Sequence, residues 1–187
     1  ELRARLARED RLVRLASTFL GLDLASFDQG VQEALAQLGG LPGVDRCTVM
    51  RVRDGRVVKT HQWCGRRAEP SARHEVPLEW LEGRFGPAWR DDLYFETADH
   101  LDDSDIVGLR EMDDDGIRST LAVPMLHDGR FAGFVAFGSV ETGRLRGSEF
   151  LSLLRSAAGL LGEALARHDA ELELAHRART DLLTQID

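Results

Sequence analysis

Between Arg130 and Val140 almost every position is apolar or small, with Phe131, Gly133, Val135 and Phe137 alternating with Ala132, Phe134, Ala136 and Gly138. A strand with two such faces has to be covered on both sides, so it belongs in the middle of a sheet. Asp128-Gly129 stands just before it, and Leu121 to Met125 stands before that. Asp-Gly suits the positive φ angles of a tight two-residue turn, so the two segments are predicted to form an antiparallel hairpin. The same pattern occurs from Asp45 to Trp63, where Val49 and Val52 precede Asp54-Gly55 and Val57 and Val58 follow it. A two-residue turn there sets Arg53 opposite Arg56 and thereby Cys47 opposite Gln62. That register leaves Cys64 diagonally beside Cys47 on one face.

Helical periodicity frames the hairpins. Leu2, Leu6, Val13, Ala16 and Leu20 recur in 4/3 spacing, widened by Leu12, Leu15 and Phe19, and predict an amphipathic helix over 2–20 that ends at Gly21. Ser26 followed by Gln29 resembles a capping box opening a second helix, with Val31, Leu35 and Leu38 on one face. Gly39, Gly40, Pro42 and Gly43 stop it. Residues 65–118 read as loops and short helices, Pro77 to Phe85 and Ile106 to Met112 among them, with aromatic residues concentrated at Trp80, Phe85, Trp89, Tyr94 and Phe95.

From Ser148 to Leu182 there is no proline and only two glycines, Gly159 and Gly162. A helix of that extent reaches roughly 50 Å, longer than one small domain. Leu154, Ala158, Leu161, Leu165, His168, Leu172, Ala175, Arg179 and Leu182 follow strict 4/3 alternation, the seam of a heptad coiled coil. Two such helices are expected to pair, giving a homodimer through the terminal helices, with His168 and Arg179 weakening the seam locally and fixing register. Leu154 to Leu165 also serve to cover the sheet. Beyond residue 166 no sheet is expected beneath the helix.

With 187 residues there is room for one core and helical extensions. A net charge of −8 without a Lys/Arg block excludes a nucleic-acid surface, which is built on phosphate neutralisation. No apolar run approaches the roughly 18 residues that cross a bilayer. Two cysteines are too few for a disulfide framework and suit a reducing compartment, which makes a cytoplasmic location the expectation. The start at Glu1 and the stop at Asp187 read as the ends of an excerpt from a longer chain. The acidic runs Asp102-Asp103-Ser104-Asp105 and Asp113-Asp114-Asp115 lack the glycine and terminal glutamate of an EF-hand loop, so no metal site is assigned. No phosphate loop, zinc spacing or nucleophilic triad stands out, and no catalytic residue or cofactor is assigned.

The order helix, helix, hairpin, irregular middle, hairpin, long helix resembles the GAF domain, a small sensor module. The strongest local match is Gly116-Ile117-Arg118-Ser119-Thr120-Leu121-Ala122-Val123-Pro124-Met125, followed by Asp128-Gly129 and by Gly133-Phe134-Val135-Ala136-Phe137. The resemblance covers roughly residues 22–165. It implies an α/β (α+β) fold, with an antiparallel sheet of five to six strands flanked by helices, and long N- and C-terminal signalling helices. Residues 1–21 are then an N-terminal signalling helix. Such domains hold ligands between the sheet and the middle segments, which implies Trp80, Phe85, Trp89, Tyr94 and Phe95 as candidate contacts for an unidentified small molecule. The same five can equally form a hydrophobic satellite cluster. Cys47 and Cys64 are a candidate redox pair, and a further reading makes the domain itself a GAF-type methionine sulfoxide reductase, although those enzymes use loop cysteines and these two stand on or beside strands. Phytochrome-type GAF domains carry a chromophore-bearing cysteine in the middle segment, where this chain has none.

A second resemblance covers the last residues. Thr180-Asp181-Leu182-Leu183-Thr184 is similar to the Asp-x-Leu-Thr opening of GGDEF diguanylate cyclase domains, departing at Gln185, where that family usually has glycine. It implies that residues 166–187 are a coiled-coil linker and the start of an output domain that joins two GTP molecules into cyclic di-GMP. The alternative is a histidine kinase, since His176, Arg179, Thr180 and Leu182 loosely resemble a phospho-acceptor segment, without its acidic residue and proline.

Overall fold

Two tight turns organise the sheet. In the computed structural model, Asp54 and Gly55 have φ of 48° and 72°, and Asp128 and Gly129 have 50° and 69°, the left-handed pair of a type I′ hairpin. The structure describes residues 24–71, 75–85, 93–96, 116–142 and 148–184, together with Asp10, Val13, Arg14, Ser17, Thr18 and Leu145.

The described elements run α1 (Phe27–Gly39), β1 (Arg46–Arg53), β2 (Arg56–Cys64), β3 (Glu75–Pro77), α2 (Leu78–Phe85), β4 (Leu93–Glu96), β5 (Ser119–His127), β6 (Arg130–Ser139) and α3 (Ser148–Thr184). Both expected hairpins are present, and the six strands lie in the order β3-β2-β1-β6-β5-β4, all pairs antiparallel. Strand β6 is interior, as its two apolar faces require.

Helices α1 and α3 cover one face. Val31 and Leu35 of α1, and Leu154, Ala158, Leu161 and Leu165 of α3, are buried with Val49, Val123, Val135 and Phe137 from the sheet. Each such aliphatic or aromatic side chain contributes about 1.5–3 kcal/mol on burial, so this layer dominates stability. A smaller cluster on the opposite face joins Met50, Val57, Val76 and Leu81, with Phe131 and Phe134 packed against it.

Three local expectations are corrected. Ser26 stands at the N-cap of α1 but makes no side-chain cap bond, and Gln29 donates instead to Glu33 at 2.9 Å. The sheet ties this helix down another way: His61 Nε2 lies 3.1 Å from Asp28 Oδ1, and Gln32 Nε2 donates to the Gln62 carbonyl at 2.8 Å. Register in the first hairpin slips once between Val49 and Met50, so Cys47 faces Trp63 rather than Gln62. Gly133 lets β1 and β6 approach, since a Cβ there would lie 2.1 Å from the Met50 carbonyl oxygen of β1. Contact between α3 and the domain also continues past residue 166, to His168 on Phe27 and Asp169 on Arg51.

Pro124 fits β5 because β4 pairs only with Ser119–Ala122, leaving β5 unpartnered on that side among the described residues. The described positions of the first predicted helix, Asp10, Val13, Arg14, Ser17 and Thr18, are helical. The predicted helix Ile106 to Met112 and both acidic runs lie outside the described residues. No helix among the described residues is long and apolar enough to cross a membrane.

Candidate ligand-binding site

Residues paired across antiparallel strands share a face, so the register identifies the surface opposite the helices. Three cross-strand rows lie there: Arg46, Gly138 and Thr120; Thr48, Ala136 and Ala122; Met50, Phe134 and Pro124. The middle row has only small side chains. These small side chains make a low row, the trough, across β1, β6 and β5, between Met50 and Phe134 on one side and Arg46 on the other. Arg46, Thr48, Thr120 and Met50 are all buried.

The β2 side of the trough is strapped by the chain that follows β2. Arg46 Nη1 donates to the Glu69 carbonyl at 3.1 Å, and Lys59 Nζ donates to the Ser71 carbonyl at 2.6 Å. Gln62 bridges strap and floor: its Nε2 donates to Thr48 Oγ1 at 3.0 Å, while its Oε1 accepts from the Ser71 N–H at 3.1 Å. Buried polar groups hold their positions when they are bonded in this way. The trough thus combines small apolar side chains with threonine hydroxyls and the buried Arg46 guanidinium.

A second polar network closes the end of the sheet where β1 begins. The Asp45 carboxylate accepts from Arg67 Nε and Nη2, both at 3.0 Å, and from the Val140 N–H at 3.0 Å, with Ser139 Oγ at 3.4 Å. Burial pushes this carboxyl upward, but the Arg67 and Val140 hydrogen bonds, the Arg67 charge and Ser139 outweigh it and hold it below the usual carboxylate value. Arg67 also donates to Glu141 at 2.7 Å. The carboxylates on both sides raise its basicity further, so it stays charged.

The five aromatic candidates are placed only in part. Trp80 and Phe85 stand on α2, which reaches the trough side of the sheet through Leu81. Tyr94 and Phe95 stand on β4, paired with Leu121 and with Thr120 of the trough. Trp89 lies outside the described residues, as do the side chains of the other four. The residues that form the trough floor carry no chemical signature in the sequence; alternation opposite the core face, read through both hairpins, is the signal that marks them.

Cys47 and Cys64 are not brought together. The slip in register pairs Cys64 with Arg46, so the two thiols point to opposite faces of the sheet. Cys47 is buried in the helix-covered core, and burial, with a lesser effect of Cys64, pushes its thiol well above the ordinary value. Such a thiol is a poor nucleophile. Among the described residues no group of three or more His, Cys, Asp or Glu is arranged to hold a metal ion.

The seam residues of α3 divide. Leu154, Leu161 and Leu165 are buried against the sheet, whereas Leu172 is 47% exposed and Ala175 half-buried. His168 stacks on Phe27 within the same domain, with ring centroids 3.8 Å apart.

Comparison with known proteins locates this architecture. The family model described as the GAF domain matches residues 24–166. Comparison with curated protein sequences finds no match. Among solved structures, the phycocyanobilin-bound GAF domain of a cyanobacterial phytochrome is similar, with TM-score 0.70 and 16% identity over 88% of this chain and 96% of that one. The GAF domain of an Acinetobacter phosphoenolpyruvate-protein phosphotransferase gives TM-score 0.63 and 13% identity, over 88% and 95%. A type II free methionine-R-sulfoxide reductase from Thermoplasma acidophilum gives TM-score 0.58 and 15% identity, over 78% and 96%. At these identities the likeness is one of fold.

Proposed function

This chain belongs to the GAF family, and on that premise we propose that it is the sensory input domain of a bacterial signalling protein. A small molecule binds in the trough opposite the helices. Its binding changes how the sheet packs against α3, and α3 carries the change to a C-terminal output domain. The observation that carries this reading is the helix itself. Its 37 residues run unbroken for about 55 Å, and among the described residues its ion pairing with the sheet ends at Asp169, after which Leu172 and Leu174 are exposed. A helix that covers a sheet and then continues into solvent can report the state of that sheet elsewhere.

The output we propose is a diguanylate cyclase, supported by the resemblance of Asp181-Leu182-Leu183-Thr184 to the opening of that domain. Such chemistry gives dimerisation a purpose, because two GTP-loaded half-sites must face each other. Leu172 and Ala175 continue the seam of Leu161 and Leu165 beyond the sheet, where a second copy of the helix can take the sheet's place. Helix phase and crossing angle then set how the output domains meet. Inserting one to four residues after Asp169 in the full-length protein tests this directly. Cyclic di-GMP synthesis should rise and fall with the roughly 100° turn that each residue adds. Activity indifferent to the number inserted would contradict it.

A further inference from the structure

Helix α3 leaves the domain between Leu165 and Leu172, and two contacts mark the point of departure. Arg51, near the end of β1, grips Asp169 with both ends of its guanidinium: Nη1 donates to Oδ1 at 3.2 Å, and Nη2 donates to Oδ2. The Arg51 side chain is only 13% exposed, so this ion pair is shielded from solvent on one side. One residue before Asp169, the His168 ring lies flat on Phe27, with planes 8° apart. Its Nδ1 is buried and, among the described residues, has no hydrogen-bond partner.

On the sheet side these contacts connect to the trough. Arg51 directly follows Met50, whose side chain is buried in the cluster on the opposite face. The backbone of the two residues pairs with β6 at Phe134 and Gly133, leaving no room for a side chain at Gly133, where a Cβ would fall 2.1 Å from the Met50 carbonyl oxygen and 2.9 Å from the Arg51 Cα. Neighbouring residues of one strand therefore touch the edge of the trough and the departing helix. The two residues are joined by one peptide bond within β1, the shortest route from the trough to the helix contact.

We propose that Arg51–Asp169 and Phe27–His168 form a releasable clamp on α3, biased from the trough through Met50. The inference rests on the sensory reading above. The two halves of the clamp pull in opposite senses. A two-pronged, charge-assisted pair favours the docked helix, while a buried ring nitrogen without a partner disfavours it. A contact balanced in this way can change state under the modest difference in affinity that a ligand supplies.

Hydrogen exchange of this chain, without any ligand, tests the clamp. Residues 166–178 are the reporter and residues 153–164 the internal reference. Arg51→Gln, and independently Asp169→Asn on the helix side, should each speed exchange in the reporter about fivefold to tenfold and leave the reference unchanged. His168→Phe keeps the stack and removes the orphaned nitrogen, so it should slow the reporter. Met50→Leu, which conserves volume while reshaping the edge of the trough, should shift the reporter at least about twofold. Unchanged reporter exchange in Arg51→Gln and Asp169→Asn, or faster exchange in His168→Phe, overturns the clamp. An inert Met50→Leu overturns its link to the trough. Because no ligand enters the measurement, a failed clamp leaves the sensory reading standing, and failure to find a ligand leaves the clamp standing.

Discussion

The two halves of α3 carry one repeating pattern and meet different surroundings. From Leu153 to Leu165 the apolar stripe is buried against β5 and β6, with Leu154 and Leu161 almost wholly removed from solvent. From Glu171 onward the same repeat continues in the open, with Leu172 47% exposed and Leu174, off the seam, 64% exposed. Periodicity alone does not say what a helix covers. Here it is satisfied first by the helix's own domain, and past the Arg51–Asp169 contact it is left for something else.

The largest test of that contrast is truncation in the packed half. Leu161→Ala should cost about 3 kcal/mol in urea unfolding, since a filled site at the centre of the core becomes a cavity. A cost below about 1 kcal/mol would mean that α3 is not docked as described.

Next comes the far end of β1, which the Asp45 network holds as Arg51 holds the near end. The folded Asp45 carboxyl lies below its ordinary value of 3.8. The network therefore stabilises fully above that value and is lost as pH falls through the lower folded one. Asp45→Asn should lose about 2 kcal/mol at pH 7 and converge with the native chain in acid. A constant difference down to pH 2 would exclude the charged network as its source.

Two glycines sharpen the comparison on a finer scale. A Cβ at Gly159 meets nothing within 4 Å, whereas at Gly162 it would lie 3.2 Å from Met125 Cβ. Gly159→Ala should stabilise by about 0.5–1 kcal/mol through helix propensity alone. Gly162→Ala should gain less or destabilise, because the β5 backbone behind Met125 cannot easily move. Thermal melts that rank the two in the opposite order would displace α3 along its axis. Smallest of all, Leu174→Gln should change the stability of the dilute chain by less than about 0.5 kcal/mol, as exposed positions do.

Much of the fold was legible in the sequence because its turns carry chemistry. Asp54-Gly55 and Asp128-Gly129 fix two hairpins, and a strand apolar on both faces can only be interior. The short strands Glu75–Pro77 and Leu93–Glu96 were not assigned, since three or four residues cannot display a period of two. The slip at Val49/Met50 was equally silent. One extra residue in β2 alters no composition, yet it moves Cys64 to the other face and dissolves the expected cysteine pair. The trough was missed for a related reason. Aromatic residues attract notice in a sequence, whereas Thr48, Ala122, Ala136 and Gly138 become a surface only when strand pairing aligns them. The capping box failed because Ser26 offers its side chain no bond to the helix start, and α1 is held instead by His61 and Gln32.

The central claim is that the stripe beyond Asp169 is completed by a second copy of the chain. Sedimentation equilibrium of the native chain and of Leu172→Glu tests it most directly. The account predicts a reversible dimer at micromolar concentration that Leu172→Glu dissociates, with no loss of the monomer's fold. A chain that stays monomeric throughout, or a dimer indifferent to Leu172→Glu, would contradict it.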